Sequence, residues 1–344
     1  MPFALSYVLV FLVSFATLRA VIALSQKYQL FIDSSHSSKP QRFHYQPTPR
    51  AGGVGILAGV LVGFGALCLQ NIGLQYFEAF GSEWVHFLIA GVVVFASGFL
   101  EDMGVSLSPK LRLLIQCIGA SIVCAGMSNA WLRDLGLGFE FPFWLGLAFG
   151  VFAVVGVCNA INIIDGFNGL SGGVALCVCA SIIIVSTQVD MPLIASVAAI
   201  MMSATLGFLV LNFPSGKIFL GDGGAYFLGF GLAMILVLLT QEPSSIVSPW
   251  YGFCVMIYPI WEVLFSIVRK VSVGKSAMQP DSLHLHMLLF KRLRNNPLTS
   301  LIIVCVNIPF IAIATLFYAN TLVLMITCVA FIIGYVLVYR LFRM

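Results

Sequence analysis

Asn162, Asp165 and Asn168 stand three residues apart within Asn159 to Leu170, in a chain of 344 residues that is 60% hydrophobic and only 9% charged. Polar groups in so apolar a chain need partners, because burying an unpaired amide or carboxylate is costly. Their spacing lets one helical face or a turn converge all three on a shared ligand, and Gly166 and Gly169 let backbone approach closely. Three further segments carry similar residues. Glu101-Asp102 precedes Ser108-Pro109-Lys110-Leu111-Arg112, Phe219-Leu220-Gly221-Asp222-Gly223-Gly224 opens an apolar run, and Pro280-Asp281-Ser282-Leu283-His284-Leu285-His286 leads into Lys291, Arg292 and Arg294. Carboxylate and amide oxygens suit a hard cation such as Mg²⁺, which takes one or two protein oxygens and keeps water and phosphate ligands. Asp222 sits where helix N–H groups can receive phosphate oxygens, and the basic residues and histidines suit the phosphates themselves. Two histidines at i, i+2 without a third His or Cys nearby do not point to a transition-metal site. Together these groups describe phosphoryl transfer, in which a protein positions two anions and neutralises charge in the transition state.

The elements that must position these segments are membrane helices. A run of about 20 apolar residues crosses a bilayer as a helix, since a helix satisfies its own backbone groups. Eleven such runs are expected, near 3–23, 51–70, 85–100, 111–128, 142–161, 171–188, 193–211, 225–240, 250–268, 298–317 and 321–340. The fold class is therefore an all-α integral membrane protein, with residues 1–344 forming one polytopic domain. Residues 135–141, Leu-Gly-Leu-Gly-Phe-Glu-Phe, alternate as a small surface hairpin would.

Charge gives the orientation. Of 17 Lys and Arg, Arg19 lies inside the first span, Arg133 alone falls on one side, and all the others fall on the opposite side. Short basic loops stay cytoplasmic, so the N-terminus is expected outside and the C-terminus in the cytoplasm. Asp33, Glu101, Asp102, Asp165, Asp222 and Asp281 map to the same basic face, which places a catalytic cleft there and implies one water-soluble and one lipid substrate. No basic domain stands clear of the membrane, so nucleic acid is not an expected partner.

The order of an acidic pair, N-A-x-N-x-x-D-G-x-N-G-L, F-x-G-D-x-G and P-D-x-x-H-x-H along this chain resembles the polyprenyl-phosphate N-acetylhexosamine-1-phosphate transferases. The lead into the second helix, Pro47-Thr48-Pro49-Arg50-Ala51-Gly52-Gly53, fits as well. That family includes bacterial inner-membrane enzymes that begin peptidoglycan lipid intermediates, teichoic acids, enterobacterial common antigen and O-antigen. The resemblance implies transfer of a sugar-1-phosphate from a UDP-sugar to undecaprenyl phosphate with release of UMP, and it leaves room for a homodimer. It further implies Mg²⁺, with Mn²⁺ as the substitute, held by Asp222 and Asn162 and supported by Asp165. By the same resemblance Asn168 contacts uracil and Phe219 offers it a stacking face. Asp102, next to Glu101, meets the acceptor phosphate and can accept its proton. Lys110, or Arg112 in the alternative alignment, binds phosphate charge, while His284 and His286 lie over the sugar or pyrophosphate. A single displacement by the acceptor phosphate is the expected course, with an aspartyl intermediate as its rival.

Two other function classes compete. A transporter of an anionic solute would place polar residues near the midplane on broken helices, whereas here the acids gather at one face. A non-catalytic membrane scaffold would make no use of them. Glu262, inside the ninth run beside Trp261, is either functional or paired with a neighbouring helix.

Overall fold

The computed structural model describes residues 2–33, 48–69, 72–276 and 282–343, the side chains at 2, 3, 33 and 72–82 excepted. Lys39, Arg42, Pro47, Pro280 and Asp281 lie outside the described residues. The chain is almost wholly helical: α1 (Pro2–Tyr28), α2 (Gly52–Leu69), α3 (Ile72–Asp102), α4 (Pro109–Gly126), α5 (Phe143–Ile164), α6 (Leu170–Gln188), α7 (Pro192–Asn212), α8 (Gly221–Gln241), α9 (Pro249–Val255), α10 (Ile257–Ser272), α11 (Leu285–Leu293), α12 (Asn296–Leu316) and α13 (Thr321–Arg343). Two-residue strands β1 (Ile32–Asp33) and β2 (Thr48–Pro49) pair antiparallel between α1 and α2. Asp134 and Glu140 form an isolated antiparallel bridge, so the expected hairpin over 135–141 closes one residue earlier, between 134 and 140.

Among the described residues ten helices are long and apolar enough to cross a membrane, and α9 with α10 makes an eleventh candidate. That pair is not the single straight helix expected over 250–268: it bends by 79°. The cause is Pro259. It has no N–H to give to the carbonyl four residues back and its ring crowds that carbonyl, which belongs to Val255, the last residue of α9.

α8 is the centre of the molecule. All its 21 residues are buried except Asp222 and Thr240, and α2, α3, α5 and α7 surround it. Close approach at its first turn requires glycine. A Cβ on Gly53 of α2 would lie 2.3 Å from the Gly224 Cα, so the two backbones touch with no side chain between them. Starts and ends of helices near the site are held by local caps. Ser108 Oγ accepts from the Leu111 N–H ahead of Pro109 at the start of α4, and Asn295 Oδ1 accepts from the Leu298 N–H at the start of α12; both relieve unpaired first-turn donors.

Candidate active site

Four chain segments far apart in sequence meet at the first turn of α8. Asp222 Oδ2 receives the Arg112 guanidinium from α4 at 2.9 Å. Its Oδ1 receives Arg50 at 3.1 Å and the Asn162 amide of α5, also at 3.1 Å. Asp102, at the end of α3, accepts the Asp222 N–H at Oδ1 and the Gly223 N–H at Oδ2, both at 2.9 Å, and its Oδ1 lies 4.0 Å from Arg50. The anion at this helix N-terminus is thus the protein's own carboxylate, in the place where such termini favour negative charge. Gly221 is needed there: its φ is +78°, and a Cβ would fall 2.6 Å from Asp102 Oδ2.

Asp165 ends α5 as its C-cap, and Ser171 Oγ donates to its Oδ1 at 2.5 Å. The residue is half-buried. Burial pushes the carboxyl up to about 8, against the opposing pull of the Ser171 hydroxyl. Asn168 is turned toward a different wall: its N–H goes to Asn296 Oδ1 at 2.8 Å and its Nδ2 to the Pro214 carbonyl at 3.0 Å. Asn212 braces the same turn, accepting the Gly169 N–H at 2.6 Å and donating to the Ile218 carbonyl at 2.8 Å. Phe219 is half-buried and its backbone bonds to Pro49 and Gly52, which ties the start of α8 to the lead into α2.

Of the two basic candidates on α4, Arg112 is the one brought to Asp222, while Lys110 lies exposed in the first helical turn. Glu101 is engaged locally: its Oε2 accepts the Leu107 N–H at 3.1 Å and shapes the α3–α4 turn. His284 and His286 are buried in a separate polar nest. His284 Nδ1 lies 2.9 Å from Glu262 Oε1, and His286 Nδ1 lies 3.1 Å from the Tyr258 hydroxyl. The His286 ring meets Phe167 edge to face at 5.6 Å, so the nest backs onto the Asp165–Asn168 turn. Burial pushes the His286 imidazole down to about 4, with the Glu262 charge pulling the other way, so it is neutral near pH 7.

Sequence reasoning gave no site role to Arg50 or Asn212. Arg50 stood in the Pro47–Gly53 lead into α2 and among the charges of the basic side, and its place beside the Gly52-Gly53 start of that helix was a usable signal. Asn212, at the end of an apolar run, carried none.

The sequence between Trp84 and Leu239, carrying Asp102, Asn162, Asp165 and Asp222, lies within the stretch 84–240 that matches the family model "Glycosyl transferase family 4". The chain belongs to that family. It is 27% identical over 281 residues to a probable undecaprenyl-phosphate N-acetylglucosaminyl 1-phosphate transferase of Bacillus subtilis, covering 81% of this chain and 76% of that one. With the decaprenyl-phosphate N-acetylglucosaminephosphotransferase of Mycobacterium leprae it shares 30% over 267 residues, 71% of this chain and 66% of the relative. With the undecaprenyl-phosphate alpha-N-acetylglucosaminyl 1-phosphate transferase of Escherichia coli O157:H7 it shares 29% over 258 residues, covering 72% and 66%. Within this glycosyl transferase family 4 chain, Arg50, His284 and His286 fall outside the matched stretch.

Proposed function

We propose that this chain transfers an N-acetylhexosamine-1-phosphate, by analogy with its relatives N-acetylglucosamine-1-phosphate, from a UDP-sugar to undecaprenyl phosphate, releasing UMP. The observation that carries this reading is the convergence of Asp102, Asn162, Asp222, Arg50 and Arg112 at one membrane-helix end. Two guanidiniums and oxygen-bearing side chains at a polar–apolar boundary suit two phosphate anions, one from water and one from lipid. The basic face would be the cytoplasmic one, in the inner membrane of a bacterium.

A divalent cation fits the residues present. Among the described residues no group of three or more His, Cys, Asp or Glu forms a metal cage. Asp222 and Asn162, whose Nδ2 donates to Asp222 Oδ1 at 3.1 Å, carry instead, in the carboxylate and the amide Oδ1, the small oxygen set that Mg²⁺ takes when phosphates complete its shell. When bound there, Mg²⁺ would neutralise the donor pyrophosphate and steady the leaving UMP; Mn²⁺ could replace it. The chain's own residues do the rest. Arg50 and Arg112 supply fixed positive charge for phosphate oxygens, and Asp102 holds the α8 N-terminus so that Asp222 keeps its direction. Asp165 braces Asn162 from the turn below. His284 and His286 close the far side, toward the sugar. The acceptor phosphate is anionic near neutral pH and attacks without a strong base.

Purified protein is to be incubated with Mg²⁺, undecaprenyl phosphate and a panel of UDP-sugars while UMP release and lipid product are followed. Turnover with UDP-N-acetylhexosamines, its loss in Asp222→Ala and its retention in Glu140→Ala on the opposite face are the expected results. No UMP release with any donor, or normal turnover in Asp222→Ala, would sink the reading.

A further inference from the structure

Glu262 and Tyr258 stand four residues apart on α10, one turn of one face. Opposite them, His284 and His286 are stacked parallel with ring centroids 5.3 Å apart, which matches the rise of about 6 Å between the two anchors. Each anchor takes the same atom of its histidine: Glu262 Oε1 meets His284 Nδ1 at 2.9 Å, and the Tyr258 hydroxyl meets His286 Nδ1 at 3.1 Å. Glu262 is 1% exposed and carries two more bonds, from the Leu285 N–H at 3.1 Å and the Tyr335 hydroxyl of α13 at 2.9 Å. A buried carboxylate so supplied with donors is fixed in direction and accepts from whichever ring nitrogen faces it.

His286 Nε2 is the complement of this arrangement. The residue is fully buried, and the nitrogen has no hydrogen-bond partner. It lies 3.8 Å from where a Cβ on Gly166 would sit, so it is directed at the Asp165–Gly166–Phe167 turn. Buried ring nitrogens are normally paired, and one aimed at the turn that carries Asp165 belongs to the working surface.

We infer that Glu262 and Tyr258 are positioning residues of the transferase site: Tyr258, at Nδ1 of His286, turns the His286 Nε2 to the Asp165 turn, and Glu262, at Nδ1 of His284, fixes the ring stacked beside it. This rests on the transferase reading. It explains an acid inside an apolar run without giving it a substrate contact, and it assigns the bend at Met256 a use, since the bend redirects α10 so that this face meets the start of α11.

The test is made on the full-length protein in lipid nanodiscs. Glu262→Ala is expected to lower kcat about tenfold or more, the usual scale for removing a group that orients a working histidine, with KM for undecaprenyl phosphate within about twofold. Glu262→Gln keeps an oxygen for His284 and Leu285 and is expected to recover most of the rate. In a His284→Ala background Glu262→Ala is expected to cost nothing further, since two changes acting through one ring are not additive. A purely structural acid would multiply the losses, and that result, or unchanged kcat in Glu262→Ala, overturns the inference. Tyr258→Phe is expected to lower kcat as well; full activity there overturns the His286 half. Should Glu262→Ala fail to fold, imidazole ¹⁵N spectra of the wild type, with His284 identified from its loss in His284→Ala, decide the matter: protonation at Nδ1 supports the inference and at Nε2 overturns it. These spectra need no turnover, so failure of the transferase reading, seen as no UMP release by the wild type, stays distinguishable from failure of this one.

Discussion

Asp222 lies between two guanidiniums, and the distances decide which basic residue of α4 matters. Arg112 reaches Oδ2 at 2.9 Å, whereas Lys110 is exposed. A charge-assisted hydrogen bond of this type contributes about 1.5–3 kcal/mol, so Arg112→Ala should lower UMP release roughly tenfold to a hundredfold. Lys110→Ala should stay within about threefold of wild type, the scale of an exposed charge; equal losses in both would remove Arg112 from the site. Asp165 yields a second expectation. Its carboxyl holds its proton up to about pH 8 when folded but only to about 3.8 when unfolded. The folded state therefore binds the extra proton, and stability falls as pH rises through that window and levels off above it. Asp165→Asn removes the titration, so its melting midpoint should exceed that of wild type at pH 9 and approach it near pH 4, as read by thermal melting in detergent. A constant offset at both pH values would mean that the carboxyl does not titrate in that window. Residue types and spacing had pointed to Asp102, Asn162, Asp165 and Asp222 as one cluster, because acids at helix ends beside glycine are costly without a shared purpose. Arg50 escaped that reasoning because a basic residue ahead of a helix on the basic side is explained by topology alone.

Helices bring these residues together only because their backbones nearly touch. Gly53 of α2 faces Gly224 of α8, and a single methyl on Gly53 would sit 2.3 Å from the Gly224 Cα. Backbone cannot yield as a side-chain tip can, so Gly53→Ala must part α2 from α8 within a turn of Asp222, at a cost of about 1–3 kcal/mol for overpacking. Gly65, farther along the same helix, has open space where its Cβ would lie. Gly53→Ala should therefore lower both the melting midpoint and UMP release, and Gly65→Ala should leave both near wild type; an unaffected Gly53→Ala would show that α2 and α8 are not packed this closely. Helix existence was legible from apolar run length, since only a helix satisfies its backbone in lipid. The centrality of α8 was not, because a run enclosed by other helices and a run facing lipid are equally apolar. The break at Met256 could have been anticipated from Pro259, but an apolar run continuous through a proline also fits a merely kinked span.

At the scale of the whole molecule, the ends that carry Arg50, Asp102, Arg112, Asp165 and Asp222 form one pole, joined by hydrogen bonds across α3, α4, α5 and α8. The opposite pole has its own polar set, in which Arg133 donates to Asn129 and Asn129 to Glu242. A cavity of about 420 Å³ opens there, lined by Glu83, Asp190 and Glu242 among others. The two poles thus differ in sign as well as in content. Loops rich in Lys and Arg resist translocation whereas acidic ones hardly affect it, so the site pole should face the cytoplasm, as the proposed use of a UDP-sugar requires. Leu137, exposed beside the bridge between Asp134 and Glu140, marks the acidic pole, and Lys275, exposed after α10, marks the basic one. In a background with the native cysteines replaced, a membrane-impermeant maleimide added to intact spheroplasts should label Leu137→Cys and leave Lys275→Cys untouched until the membrane is permeabilised. The reverse pattern would place the arginine-bracketed Asp222 on the outer surface, away from any UDP-sugar, and the charge argument for its substrate would fail with it.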